Sequence, residues 1–132
     1  IFRKITLKIK LTSVFVEDQE QALQFYTSVL GFVKKLDFPV GKFRWLTVVS
    51  PEEPEGTESL LEPNENPVSK EFQRSIFKLG RGAASFFVDD IQKEYERLQA
   101  IGVRFTIAPT PLKVQLLQYS MMAAVTLSRS YS

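Results

Sequence analysis

Apolar and polar positions alternate along Ser13-Val14-Phe15-Val16-Glu17-Asp18, and a run of the same kind returns 72 residues later as Ser85-Phe86-Phe87-Val88-Asp89-Asp90. A period of two predicts a strand in each run, and the acidic residue that closes each is a good helix N-cap. After the first run, Ala22, Phe25, Tyr26, Val29 and Leu30 follow helical spacing until Gly31. Asp18 and Gln21 have the spacing of a capping box. After the second run, Ile91, Tyr95 and Leu98 mark one helical face and Gly102 ends it. Leu30-Gly31-Phe32 and Ile101-Gly102-Val103 then each open a further strand, the glycine terminating the helix before it. One strand-helix-strand unit is therefore used twice.

The first unit continues with a strand at Phe32–Phe38, a turn at Pro39-Val40-Gly41 and a β-rich strand at Phe43–Ser50 that carries the single Trp. Pro51–Gly56 is an acidic, proline-containing loop, and Thr57–Glu62 a short strand. Beyond the break at Pro63–Pro67, Phe72, Ile76 and Leu79 form one stripe of a connecting helix over Ser69–Leu79. The predicted organisation is α+β in a single 132-residue domain: a βαβββ module over residues 8–62, a linker helix over 63–82 and a second module over 83–132.

Composition removes several chemistries. The chain has no Cys and no His, so a disulfide framework, a thiol nucleophile, a zinc-thiolate centre and imidazole acid–base catalysis are all excluded. The net charge of +2 does not indicate nucleic-acid binding, because it comes from the two ends. Residues 1–10 carry +4, and residues 97–132 carry +4 with no acid. Residues 11–96 hold nine basic and fifteen acidic side chains. An acidic body without a basic, aromatic-interleaved patch argues against phosphate-backbone recognition. No apolar run is long enough to span a bilayer, and Lys8 and Lys10 interrupt any signal-peptide core. The expected location is the cytoplasm.

With these residues placed, the chain resembles the vicinal oxygen chelate superfamily of glyoxalase I, bleomycin-resistance proteins and extradiol dioxygenases. Val16-Glu17-Asp18-Gln19, Ala22-Leu23-Gln24-Phe25-Tyr26 and Val29-Leu30-Gly31-Phe32 carry the resemblance in the first half. Phe87-Val88-Asp89-Asp90-Ile91, Glu96-Arg97-Leu98 and Gly102-Val103 carry it in the second, and the match spans roughly residues 8–110. The resemblance implies two βαβββ modules forming an open eight-stranded cup, a site on the concave face, and frequent homodimers.

It also implies a divalent metal held by residues on the first and last strands of each module. Those first-strand positions, seven before the acidic caps, fall on Leu11 and Ala83, which cannot ligate a cation. Glu62 falls close to a family carboxylate ligand, but one carboxylate does not hold a catalytic metal. No metal, cofactor or catalytic residue is therefore expected. Same-face spacing turns Leu11, Ser13 and Phe15 into the cup, with Val14 and Val16 packed on the first helix. By the repeat, Ala83, Ser85 and Phe87 line the cup from the second module, with Phe86 and Val88 behind. Trp45 or Arg44 faces inward from the third strand, depending on register. The expected site is thus Leu11, Ser13, Phe15, Trp45, Glu62, Ala83, Ser85 and Phe87, an apolar, aromatic pocket for a small molecule in a homodimer.

Plainer readings compete at several positions. Phe15 and Phe87 serve equally as core filler, Glu62 as an exposed strand-end carboxylate, and Glu52-Glu53-Pro54-Glu55 as a solvated loop. Asp89-Asp90 reads as helix capping rather than an acid–base pair. Two other functions fit the same fold: a metal-dependent lyase or dioxygenase using Glu62, and an interaction protein whose pocket its own side chains fill.

After Thr110 the family pattern stops. Residues 111–132 contain no acid. The codons of Met121-Met122-Ala123, read one base earlier, force Asp-Gly, and their neighbours permit Phe-Asp-Asp-Gly-Cys-Gly-Asn-Leu-Ile-Gln, similar to the family's last strand. Residues from about Pro111 onward are accordingly read as a frame-shifted translation or as a sequence with a one-base error, and Leu7 as a natural start from a TTG codon. In their own frame, Val114–Leu117 and Ala123–Leu127 are apolar enough to fill strand positions.

Overall fold

A computed structural model describes residues 6–79, 84–103 and 116–119. The order is β1 (Leu11–Val16), α1 (Gln19–Gln24), a π-helical continuation (Phe25–Val29), β2 (Val33–Val40), β3 (Phe43–Val49) and β4 (Glu58–Pro63), followed by α2 (Pro67–Lys78), β5 (Ala84–Phe87), α3 (Ile91–Ala100) and β6 (Leu116–Tyr119). The first module is βαβββ, as its sequence pattern predicts. Its four strands form one sheet in the order β1-β4-β3-β2, with β1 parallel to β4 and the other neighbours antiparallel. Strands β5 and β6 form an antiparallel pair. The architecture is α+β. Ala83 and the shifted-frame reading of the tail lie outside the described residues, apart from the four-residue strand β6, which overlaps the predicted Val114–Leu117.

The helix boundaries follow from capping. Asp18 accepts a hydrogen bond from Gln21 N at 2.9 Å, and Asp90 repeats this with Lys93 N at 3.0 Å. Asn66 caps α2 through Val68 N at 2.8 Å, and Pro67 fits the first turn, where its missing N–H costs nothing. Helix α2 therefore starts two residues before the predicted Ser69. Beyond Gln24 the first helix widens: Leu30 N reaches Phe25 O at 3.1 Å, an i to i+5 bond. Thr27 Oγ1 donates to Leu23 O at 2.7 Å in the same stretch.

One predicted boundary is corrected. Pro39 and Val40 belong to β2 rather than to a turn, pairing with Arg44 and Phe43. Proline is tolerated because β2 is an edge strand of its sheet, where one side of the backbone needs no ladder donor. The turn is the two residues Gly41-Lys42. Gly41 has φ +60°, the sign a II′ hairpin requires at its first central position.

The core lies on one face of the sheet. Val14, Val16, Leu46, Val48 and Leu61 from β1, β3 and β4 pack against Ala22, Phe25, Tyr26 and Val29, and Leu98 of α3 and Val103 join the same cluster. Tyr26 is fully buried and makes ring contacts with Phe25, Phe32 and Phe86, the last edge-on at 6.4 Å. Phe32 and Phe86 are 5.1 Å apart. This aromatic cluster fastens β5 to the first module. Phe86 and Val88 face the core, so the two residues expected behind the cup wall do pack there.

Candidate functional site

Strand register sorts the side chains of the sheet into two faces. Leu11, Ser13 and Phe15 pair with Glu58, Leu60 and Glu62, and Thr47 pairs with Leu60. Residues paired across strands share a face, and alternate residues along a strand return to it. The face opposite α1 therefore carries Leu11, Ser13, Phe15, Glu58, Leu60, Glu62, Thr47, Val49 and Trp45. Register also adds Phe38, the partner of Trp45 on β2.

The choice between Trp45 and Arg44 is settled by this register. Trp45 stacks on Phe38 with ring centroids 6.3 Å apart and planes inclined by 18°. Arg44 points to the helix side. Its Nε and Nη2 grip Asp37 at 3.0 and 2.8 Å, and its Nη1 reaches Glu20 of α1 at 2.9 Å. The Arg44 hydrogen bonds pull the Asp37 carboxyl down from 3.8 to about 2, and Asp37 in turn holds the guanidinium proton more tightly than usual. Gln19 locks the same corner. Its Nε2 donates to Arg44 O at 2.7 Å and Leu61 O at 3.0 Å, and its Oε1 accepts from Arg44 N at 3.1 Å. The start of α1 is thereby fixed to β3 and β4.

On this face, exposure differs from centre to rim. Thr47, Val49 and Leu60 are buried, whereas Leu11, Phe38 and Val40 are 44%, 46% and 51% exposed. Phe15 is half-buried and meets Phe72 of α2 edge-on at 6.2 Å. Gln73 holds α2 there, donating to Phe15 O at 2.9 Å and accepting from the buried Asn64 side chain at 2.6 Å. Glu62 is half-buried beside Phe15. Among the predicted site residues, the sheet thus brings Leu11, Ser13, Phe15, Trp45 and Glu62 to one face. Phe87 is 69% exposed on β5, and Ser85 stands two residues before it on the same strand.

The sequence reading missed Glu58 and Thr47. At the β-bulge between Lys34 and Leu36, the Leu36 N–H turns to Thr47 Oγ1 at 3.1 Å. Thr47 then donates to Glu58 Oε1 at 2.7 Å. This relay orients a carboxylate opposite Leu11. No local signal announces it, since the bulge and the pairing of β3 with β4 are both long-range outcomes. A cavity of about 550 Å³ adjoins this point, between the start of β1 and β5. Its walls include Ser13, Glu53, Glu58, Phe32, Phe86 and Phe87. Glu53 was read as part of a solvated loop. The residue is exposed, as a solvated loop implies, and its side chain folds back toward the turn, so that a Cβ at Gly56 would lie 3.0 Å from both Glu53 Cβ and Oε2.

The metal implied by the family resemblance does not fit these donors. Leu11 offers no ligating atom, and Glu62 lies four residues along β4 from Glu58, the residue that faces Leu11. Among the described residues no group of three or more Asp, Glu, His or Cys side chains could hold a metal ion. Likewise, no described helix is long and apolar enough to cross a membrane.

Comparison with known proteins gives the same architecture. YurT, an uncharacterized protein of Bacillus subtilis (strain 168), is 58% identical over 106 residues, 80% of this chain and 84% of that protein. The crystal structure of UcmS2 superposes with a TM-score of 0.71 at 29% identity, covering 89% of this chain and 94% of that one. TnmS3, an antibiotic binding protein from Streptomyces sp. CB03234, shares the fold with a TM-score of 0.62 at 24% identity, covering 90% and 93%. The family profile matches residues 8–119. The repeated strand-cap-helix pattern, the βαβββ sheet and this match together place the chain in the Glyoxalase/Bleomycin resistance protein/Dioxygenase superfamily.

Proposed function

We propose that this protein binds a small molecule on the concave face of its sheet, without a catalytic metal. The observation that carries the reading is the register-defined face on which Trp45 stacks against Phe38, and which also carries Leu11 and Phe15 on β1. A stacked indole with exposed aromatic and aliphatic neighbours is suited to a planar or apolar ligand, and the few polar groups, Ser13, Glu58 and Glu62, supply orientation. That TnmS3 is an antibiotic binding protein supports the reading at the level of fold only.

The test is a melting-temperature screen against a library of aromatic natural products, followed by calorimetric titration of the hits. A ligand at 100 times its Kd stabilises the native state by about 2.7 kcal/mol. Trp45→Leu is expected to weaken a hit roughly 2- to 10-fold through loss of stacking. A library that leaves the melting temperature unmoved, or a Trp45→Leu variant that binds as tightly as the parent, overturns the reading.

Assembly and chain integrity belong to the same proposal. Val33, Leu36, Phe38 and Val40 of the edge strand β2 are 38–51% exposed, and a homodimer in the cytoplasm would cover such a surface. Sedimentation velocity expects a dimer; a monomer at tens of micromolar overturns it. The shifted frame proposed for residues 111–132 is tested by sequencing the gene: an error-free, in-frame stretch encoding Pro111–Ser132 overturns it.

A further inference from the structure

We propose that Phe72 of α2 is a specificity-determining wall of the ligand face and that Gln73 positions it, so that aromatic ligands are preferred over aliphatic ones of similar shape. This rests on the small-molecule reading and adds to it a contact from outside the sheet. The placement follows from the free edge of β1, an outer strand of its sheet. Val16 O accepts from Asn64 N at 3.0 Å, just past the end of β4. Successive carbonyls of a strand point to opposite sides, so Phe15 O is directed away from β4.

Gln73 Nε2 meets that oxygen at 2.9 Å, while Gln73 Oε1 accepts from the buried Asn64 side chain. One side-chain amide thus closes an edge acceptor of β1 and fastens α2 along the strand. Phe72 lies one residue earlier, about 100° around the helix. Register sends Phe15 to the ligand face, and the ring that meets Phe15 stands on that side of the sheet. The contact is only partly used. No residue of α2 is buried, and Phe72 remains 56% exposed although it touches Phe15. The two rings, inclined by 76°, offer an incoming ring both an edge and a face, the two geometries aromatic pairs favour. A saturated ligand gains the apolar contact without that preference. Because so few contacts hold α2, a ligand that bridges Phe15 and Phe72 also slows its local opening.

The probes are 2-naphthol and its saturated counterpart decahydro-2-naphthol, both uncharged at pH 7 and titrated calorimetrically. Phe72→Leu keeps apolar bulk at a half-exposed position, so the fold is retained. It is expected to lower the preference for 2-naphthol over the saturated alcohol about 2- to 10-fold. A purely structural role would weaken both alcohols alike. Gln73→Leu is expected to lower the same preference, and the double variant to lower it no further than either single change, since anchor and ring act as one unit. Saturating 2-naphthol is expected to slow amide hydrogen exchange across α2 in the parent and not in Phe72→Leu. A preference unchanged in Phe72→Leu, or α2 exchange unmoved by 2-naphthol, overturns the proposal, and if Trp45→Leu still weakens 2-naphthol the small-molecule reading stands. Failure of 2-naphthol to bind also overturns the proposal; failure together with a silent library screen overturns both.

Discussion

The two faces of the first sheet use the same strands to opposite ends. On the helix side, Val14, Val16, Leu46, Val48 and Leu61 are sealed against α1 and its π-helical extension. On the other side, the intervening residues leave Leu11, Phe38 and Val40 close to half exposed and bring Glu58 and Glu62 among apolar neighbours. Stability resides in the first set, and the proposed binding in the second. A period of two places both sets one residue apart, so neighbouring substitutions are expected to have unrelated consequences.

The largest effect tests the sealed face. Leu61 is fully buried, and Leu61→Ala is expected to cost about 2–5 kcal/mol in urea unfolding. A loss under about 1 kcal/mol would show that this face is not the core. Gln19→Ala comes next, at about 1–3 kcal/mol, because the Leu61 and Arg44 carbonyls both lose their donor. Thermal unfolding of this variant with and without Arg44→Met shows whether the two residues act as one corner.

The acid limb of stability gives a finer distinction. The Asp37 carboxyl ionises at about 2 in the folded chain and near the ordinary aspartate value of 3.8 when unfolded. Between those values the unfolded chain binds more protons, so this contribution is complete above about pH 4 and is lost as pH falls toward 2. Arg44→Met is expected to flatten that part of the profile when melting temperatures are taken from pH 2 to 5. An unchanged slope would remove Arg44 as its cause. The smallest stability effect is expected on the open face: Phe38→Ala costs under about 1 kcal/mol in the same urea experiment, yet weakens ligands that stack on Trp45. A loss comparable with Leu61→Ala would erase the contrast between the faces.

Local chemistry explains which parts were legible beforehand. Asp18 and Asp90 announce helix starts because a cap acts within three residues of itself, and the alternation around Val14 and Val16 shows which side meets the helix. Local rules gave way at Pro39, where the edge position of β2 removed the penalty that a turn assignment assumed. Nothing within the third strand could choose between Arg44 and Trp45, since either orientation satisfies a buried, aromatic-rich strand. Pairing with Asp37 and Phe38 on β2 made that choice.

By itself, then, the sequence determined the repeated strand-helix unit, the family, and the absence of thiol and imidazole chemistry, because periodicity, capping and composition are properties of residues and their near neighbours. Only the tertiary structure decided the inward Trp45, the Thr47–Glu58 relay and the meeting of Phe32 with Phe86. Each depends on register or docking between segments far apart in the chain, and a one-residue slip in pairing would send every one of those side chains to the other face.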